Sequence, residues 1–369
     1  GWWLARNSAR HNESRSDLNL SSHYLQGLNY LLNEQPDKAI EVFIRVLEVD
    51  NETVETHLAL GNLFRRRGET DRAIRIHQNL IARPTLSRVQ RTQALLELGQ
   101  DYMRAGLLDR AESLFHELID LDEHVLPALH QLIDIYQQEK DWDKAIATTQ
   151  KLAAVTGQAE NHVLAQYHCE LAEETCARAD YASAERMLKN ALEEDPDCAR
   201  ASLLQGEMAM TAGNHAAAIT AFERVEQQDP EYLSEVLEPL TACYSALGQR
   251  EQLIDYLQKI HARHGGVTLT LTLAGLLSAE HGNKEATEFI SHQLRSTPSL
   301  RGLEQLIELK LAVIQGDARA DMKLLHELAS QLRNGHPAYM CAHCGFSGKA
   351  LHWQCPGCKQ WNTVKPVQG

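Results

Sequence analysis

A motif that recurs about every 34 residues between residues 20 and 332 most constrains the fold of this chain. Most copies have an early Leu or Gly, an aromatic residue a few positions later, and a small residue in the second half. Three pairs of small residues are 34 positions apart: Ala39 and Ala73, Ala111 and Ala145, and Ala184 and Ala218. The pattern predicts antiparallel helix pairs, in which small residues allow close approach and aromatic residues fill the space between neighbouring pairs.

Helix-breaking residues mark the ends of the predicted helices. Gly106 and Gly213 lie where the two helices of a repeat must turn, and Pro196 lies where a second helix must stop. Near Pro84 and Gly157 the spacing lengthens to 38 and 39 residues, which predicts a bend in the stack at those junctions.

The pattern resembles the tetratricopeptide repeat in its period and signature positions. The resemblance implies an all-α superhelix of about eight to nine helix pairs over residues 20–332. In that family the first helix of each repeat lines a groove for partner proteins, and few members are enzymes. The corresponding groove positions in this chain are Asn62, Arg65, Arg66, Gln100, Met103, Arg104, His130 and Asp134.

Arginines are concentrated in the N-terminal half of an acidic chain whose formal net charge is −14. This charge argues against general nucleic-acid binding, which depends on neutralising phosphates. The arginine-rich repeats either present a positive face to an acidic partner or to lipid head groups, or form a solvated surface with local Glu partners. The sequence leaves both interpretations open.

Two Cys-x-x-Cys motifs near the C-terminus predict one metal site. Cys341 and Cys344 form the first motif, Cys355 and Cys358 form the second, and ten residues separate them. Two tight turns of this kind bring four thiolates to one tetrahedral metal and leave no open position for catalysis. Residues 338–366 are too few to bury a core. We therefore expect this segment to fold around zinc, with iron as the alternative metal.

The two motifs resemble rubredoxin-type knuckles, with a shorter segment between them. The resemblance implies a small rubredoxin-like zinc ribbon. Gly345 can take the positive φ that the first turn requires. The second turn has Lys359 where Gly is usual, which predicts a strained backbone there.

Two tryptophans, Trp353 and Trp361, flank the second motif. We expect them to cover the metal site and dock it on the helices rather than to stack nucleic-acid bases. The linker that precedes the metal-binding segment is short, so its reach is limited. The sequence therefore predicts packing on the last repeats, over the face that carries Leu324, Leu325 and Leu328.

The remaining cysteines, Cys169, Cys176, Cys198 and Cys243, are scattered through helical sequence and are predicted to be buried thiols. This usage indicates a reducing compartment. No arrangement of nucleophile, acid and base is apparent in the sequence, which predicts that the protein is not an enzyme.

The N-terminal residues have the character of a membrane boundary. Trp2 and Trp3 are followed by Arg6 and Arg10, as expected for residues 1–19 forming a juxtamembrane segment after a membrane helix. The alternative is a frayed terminus.

The N-terminal Gly-Trp-Trp-Leu-Ala-Arg-Asn, the repeats and the metal-binding segment together resemble a bacterial family of lipopolysaccharide assembly proteins over the whole chain. The resemblance implies a single-pass protein of the bacterial inner membrane, with this chain facing the cytoplasm. It also implies a non-enzymatic adaptor that acts with other lipopolysaccharide assembly proteins. With the membrane-anchored AAA+ protease FtsH, that family promotes degradation of the deacetylase that commits precursor to lipid A.

Two other functions remain open at this point. A rubredoxin-type site with redox-active iron would suit an electron carrier, although no flavin or haem motif accompanies it. A repeat array would also suit a general scaffold for envelope assembly.

Overall fold

The computed structural model describes residues 25–33, 35–49, 54–333 and 337–367. The predicted juxtamembrane segment, residues 1–19, lies outside these ranges. Contacts divide the chain into two units, one up to Ala159 and one from Glu160 onward, beside the lengthened spacing at Gly157. None of the helices in the described ranges combines the length and the apolar character needed to cross a bilayer.

The first unit is built from helices that pair in chain order. Its elements are α1 (residues 25–32), α2 (Pro36–Val49), α3 (Val54–Arg67), α4 (Thr70–Ile81), α5 (Arg88–Ala105), α6 (Leu108–Asp120), α7 (Val125–Glu139) and α8 (Trp142–Thr156). Helix α3 packs on α4, α5 on α6, and α7 on α8, and the first helices α3, α5 and α7 also contact one another in succession.

The second unit continues the same pairing and ends in a small sheet. Its helices are α9 (Asn161–Ala177), α10 (Tyr181–Glu194), α11 (Ala199–Thr211), α12 (His215–Gln228), α13 (Leu233–Ala246), α14 (Arg250–His264), α15 (Val267–His281), α16 (Asn283–Ser296), α17 (Leu300–Leu311) and α18 (Asp317–Arg333). A short 3-10 helix, Pro230–Tyr232, precedes α13. The first helices α9, α11, α13, α15 and α17 again contact one another in succession.

Close helix approach within a repeat depends on glycine in the first helix. A Cβ atom on Gly99 of α5 would lie 2.6 Å from Phe115 of α6, and one on Gly206 of α11 would lie 2.3 Å from Phe222 of α12. Both phenylalanines are fully buried. The repeat therefore keeps glycine at this position because the aromatic ring of the second helix occupies the space of a side chain.

Tyrosines join some repeats to the repeat before them. The Tyr136 hydroxyl of α7 donates a hydrogen bond of 2.8 Å to Glu112 of α6. In the second unit, the Tyr244 hydroxyl of α13 donates one of 2.6 Å to Glu223 of α12. The prediction that aromatic residues fill the space between neighbouring helix pairs is confirmed at these positions.

The C-terminal segment forms a three-stranded antiparallel sheet with the order β2-β1-β3. Its strands are β1 (Tyr339–Cys341), β2 (Ser347–Gly348) and β3 (Val364–Pro366). The predicted all-α repeat fold with a small C-terminal ribbon is confirmed. We refer to residues 338–366 as the metal module.

Replacing Gly206 by Ala is expected to destabilise the second unit by about 1–3 kcal/mol, because the new methyl group overpacks the buried Phe222 ring. The matched control is Gly275→Ala in the middle of α15, where a new Cβ would meet no atom within 4 Å. There the higher helix propensity of Ala predicts a gain of about 0.5–1 kcal/mol. Thermal unfolding followed by far-ultraviolet circular dichroism measures both variants, and equal shifts would contradict the packing argument.

Candidate metal centre and its docking surface

The four predicted cysteine ligands converge on one point of the metal module. Their Sγ atoms all lie within 4.8 Å of one another. Cys341 and Cys358 are 3.8 Å apart and Cys344 and Cys355 are 3.6 Å apart, measured between Sγ atoms. A tetrahedral site with metal–sulfur bonds of about 2.3 Å has sulfur–sulfur edges of about 3.8 Å. The cluster therefore has the size and the ligand set of a metal–tetrathiolate site.

Two turns with left-handed residues build the cluster. Strand β1 ends at Cys341, and Gly345 follows the first turn with a φ of 76°. Lys359 follows the second turn with a φ of 62°, and Gln354 and Trp361 form a β-bridge around this turn. The positive φ predicted for Gly345 and the strain predicted at Lys359 are both confirmed, since a side chain at positive φ is unfavourable.

The thiols in the cluster differ in acidity. A hydrogen bond with the Thr363 hydroxyl lowers the pKa of Cys341 to about 6. At Cys344 the Phe346 amide lowers the pKa, but burial and the three neighbouring thiols outweigh it and raise the pKa to about 11. Crowded thiols resist simultaneous ionisation, and a bound cation would relieve this repulsion because it coordinates the thiolate form.

Both tryptophans of the metal module pack on tyrosines of the helices. The Trp353 ring lies 4.9 Å from the Tyr232 ring, between centroids, and the Trp361 ring meets Tyr167 of α9 edge-on at 5.8 Å. Trp361 is only 8% exposed. The prediction that these tryptophans dock the metal module on the helices is confirmed.

The Arg200 guanidinium at the start of α11 lies at the centre of this contact. It is 5.6 Å from the Trp353 ring and 5.9 Å from the Trp361 ring. On its other side it donates hydrogen bonds of 2.8 and 2.9 Å to Glu170 and Glu173 of α9. Arg200 is 2% exposed, so its charge depends on these carboxylates and aromatic faces for compensation.

Hydrogen bonds from the short helix before α13 complete the contact. Burial raises the pKa of Tyr232, so its hydroxyl remains a donor. It donates to the Asn362 side chain at 2.7 Å and to the Val364 carbonyl at 3.1 Å. The Lys365 ammonium pairs with Asp229 and lies 4.2 Å from the Tyr232 ring centroid. The metal module is thus held by directional contacts as well as by apolar burial.

The metal module covers the surface formed by first helices of the second unit. Tyr167 belongs to α9 and Arg200 to α11, and Glu235 of α13 accepts a hydrogen bond of 3.2 Å from the Tyr339 hydroxyl. These helices correspond to those that line the partner groove in tetratricopeptide repeats. The chain therefore places its own metal module on a surface of the type that such repeats use for partners.

The predicted location of the metal module on the last repeats is wrong. Leu324, Leu325 and Leu328 on α18 are 56%, 51% and 48% exposed. The leucine stripe on α18 has no cation to lie against the tryptophan rings and no polar partner for the Tyr339 hydroxyl. The surface around Arg200 supplies both, which favours packing on α9, α11 and α13.

The predicted partner-binding residues lie on the first helices α3, α5 and α7 of the first unit. Arg66, Arg104, His130 and Asp134 are exposed, whereas Asn62, Arg65, Gln100 and Met103 are partly buried. Although Asp134 is exposed, neighbouring protein atoms partly desolvate its carboxylate and raise its pKa, and the nearby His130 partly offsets that effect. The adjacency of the three helices brings these residues to neighbouring positions, and their role in binding stays a prediction.

Arg65 is engaged inside the repeat stack. Its guanidinium pairs with Asp101 at 2.8 Å and with Glu97 at 2.7 Å, both on α5. Asp101 also lies 2.5 Å from Nδ1 of His77, which packs under Gly61 where other repeats have Phe. Asp101 and His77 are fully buried. Arg65 therefore joins two repeats, whereas Arg66 and Arg67 of the same turn are exposed.

Sequence reasoning missed the residues that receive the metal module. Arg200 carries one available signal, because Glu170 and Glu173 lie in the preceding repeat and can face it across adjacent first helices. Tyr167 and Tyr232 carry no comparable signal, since aromatic residues in a helical repeat are ordinarily part of the core.

The fold and the site define a tetratricopeptide-repeat protein with a rubredoxin-type metal module. Tetratricopeptide-repeat families match residues 20–53, 56–89 and 170–232, and the family described as a rubredoxin metal binding domain matches residues 339–366. A solved structure of Naa15/Naa10 bound to HypK-THB covers 87% of this chain and 48% of its own chain at 13% identity. The TM-score of this match is 0.43.

Full-length relatives identify the particular family. Lipopolysaccharide assembly protein B of Escherichia coli (strain K12) is 38% identical over 100% of this chain and 95% of its own length. The protein of the same name from Haemophilus influenzae is 36% identical over 100% of this chain and 95% of its own length. The chain belongs to the lipopolysaccharide assembly protein B family.

Replacing Arg200 by Leu is expected to loosen the metal module from the helices and to cost about 2–4 kcal/mol, because Glu170 and Glu173 lose their cation. The matched control is Arg178→Leu on the same unit, whose arginine side chain is 73% exposed and pairs with Glu174 at 3.4 Å. That change should cost less than about 1 kcal/mol.

Tryptophan fluorescence measures the difference between these two variants. Release of the metal module exposes Trp353 and Trp361 to water and should shift the emission to longer wavelength in Arg200→Leu only. An unshifted spectrum in a stable Arg200→Leu protein would show that the guanidinium does not hold the metal module.

Proposed function

We propose that this protein is a non-enzymatic adaptor in lipopolysaccharide synthesis. The observation that carries the proposal is the 38% identity to a lipopolysaccharide assembly protein over the whole chain, with the repeats and the metal module both included. Tetratricopeptide repeats act in general by binding other proteins, which supports the adaptor role.

The adaptor brings the membrane-anchored protease FtsH together with the deacetylase that commits precursor to lipid A. Its work is to raise the local concentration of substrate beside the protease, so no residue of this chain needs to perform chemistry. The protein acts at the cytoplasmic face of the bacterial inner membrane, where both partners are within reach. The family resemblance supports this assignment.

The first unit offers the more accessible binding surface of the two. Its first helices carry the exposed cations Arg66 and Arg104, with the exposed His130 on the next first helix. In the second unit, the metal module covers part of the equivalent surface on α9, α11 and α13. A partner with acidic segments fits the exposed arginines of the first unit by charge.

Reversing Arg66 and Arg104 to Glu together is expected to raise the cellular level of the deacetylase, because the repulsive charges weaken capture and slow its proteolysis. The matched control is the double variant Arg45→Glu with Arg75→Glu, which makes the same charge change at exposed positions of the second helices α2 and α4. Immunoblotting of the deacetylase after translation is stopped measures its turnover.

Both double variants must be compared at equal expression and equal thermal stability. Arg65 is left unchanged because its loss would break the contact with Asp101. Wild-type turnover of the deacetylase in a folded Arg66/Arg104 variant would show that the partner surface lies outside the first unit. An equal loss of turnover in the control would show a general effect of charge.

The metal in the four-cysteine site is proposed to be zinc, with a structural role. Purified protein should contain one zinc per chain by elemental analysis and should lack the visible absorption of a ferric thiolate.

Cys355→Ser should abolish stoichiometric metal and unfold the metal module. Far-ultraviolet circular dichroism of this variant should show nearly all of the repeat helicity. The control Cys176→Ser should keep the metal. A coloured protein with stoichiometric iron would favour the electron-carrier alternative instead.

A further inference from the structure

Two thiols outside the metal module lie in contact with each other. Cys169 on α9 and Cys198 directly before α11 have Sγ atoms 3.9 Å apart. They are 0% and 3% exposed, as the sequence predicted for buried thiols, but their proximity follows only from the stacking of two repeats. Cys176 is partly buried.

The surroundings of Cys198 favour its thiolate. It is the N-cap residue of α11, at the end of the helix that favours negative charge. The Gln166 side-chain amide donates to its Sγ at 3.6 Å. The hydrogen bond with Cys169 lowers the pKa of Cys198 and outweighs the opposing effect of burial; the Ala201 amide and Arg200 also lower it, whereas Asp195 raises it. These polar contacts distinguish the buried Cys198 from a thiol packed only among apolar groups.

Cys169 has the opposite character. Burial raises its pKa, so it retains its proton while Cys198 ionises more readily. Cys243 on α13 provides a contrast, since it is fully buried and burial raises its pKa with no opposing group. One activated thiol beside a second, protonated thiol is the arrangement of a nucleophilic and a resolving cysteine.

We propose that Cys169 and Cys198 are a peroxide-sensitive dithiol that closes to an intramolecular disulfide. The Cys198 thiolate attacks one oxygen of hydrogen peroxide, which breaks the O–O bond and yields a sulfenic acid and hydroxide. The hydroxide takes up the proton released from Cys198 and becomes water. The Cys169 sulfur then attacks the sulfenic sulfur, which forms the S–S bond and releases a second water. Two thiols lose two electrons, and the peroxide is reduced to two waters.

The two thiols are close in sequence to residues of the contact that holds the metal module. Cys198 is two residues before Arg200, and Gln166 is next to Tyr167; both Arg200 and Tyr167 touch Trp361. Disulfide closure draws Cys198 towards α9, because the sulfur atoms must approach from 3.9 Å to about 2.0 Å. The movement reaches Arg200 through two peptide units, so oxidation alters the contact between the helices and the metal module.

Peptide mapping of the metal-loaded full chain tests the proposal. The protein is treated with stoichiometric hydrogen peroxide, alkylated and digested with trypsin without reductant. The expected product is a cross-link between residues 152–178, which contain Cys169, and residues 190–200, which contain Cys198. Cys176 lies in the first of these peptides, so Cys176→Ser must retain the cross-link. Absence of the cross-link in a sample whose metal ligands are already oxidised would overturn the proposal.

Variants of each thiol sharpen the assignment. Cys169→Ser should lose the cross-link and accumulate a sulfenic acid on Cys198 that a dimedone probe labels. The matched control, Cys243→Ser, should form the cross-link as the wild type does. A cross-link that persists in Cys169→Ser would assign the reaction to Cys176 and overturn the pair.

Tryptophan emission reports the coupling to the metal module. A spectral shift that appears with the cross-link and reverses on reduction supports it. A fully cross-linked protein with the emission of the reduced form would overturn the coupling.

Discussion

The second unit depends on a buried guanidinium that would be unfavourable if it had no partners. Arg200 is 2% exposed and lies between two carboxylates of α9 and two tryptophan rings of the metal module. The carboxylates belong to one repeat, the arginine to the next, and the tryptophans to the C-terminal segment. Because removal of any group leaves the cation poorly compensated, this contact binds three distant parts of the chain into one packed arrangement.

Two kinds of packing connect the repeats, and they have different consequences for function. Glycine beneath a phenylalanine, as at Gly99 and Phe115, requires only shape and can recur along the chain. In one repeat His77 replaces that phenylalanine and pairs with Asp101, which also holds Arg65. A polar contact of this kind uses a charge that would otherwise face the groove, so it reduces the cations available to a partner.

The first helices have different surroundings in the two units. In the first unit they present exposed charged residues such as Arg66 and Arg104. In the second unit they receive the metal module, with Tyr232 and Arg200 as principal contacts. If a metal folds the module, metal supply also determines whether this helix surface is covered. Oxidation of Cys198, as proposed, would act on the same surface.

Features that depend on neighbouring residues could be predicted from the sequence. These were the helix pairs, the four metal ligands, and the left-handed turns at Gly345 and Lys359, because spacing and backbone sterics act over a few residues. The position of the metal module and the contact between two of the thiols depend on how the repeats stack. Tyr232 contacts Asn362 across 130 residues, and Cys169 meets Cys198 from the next repeat. Similar repeats carry similar local patterns, so only their stacking brings together the particular side chains that form a receiving surface.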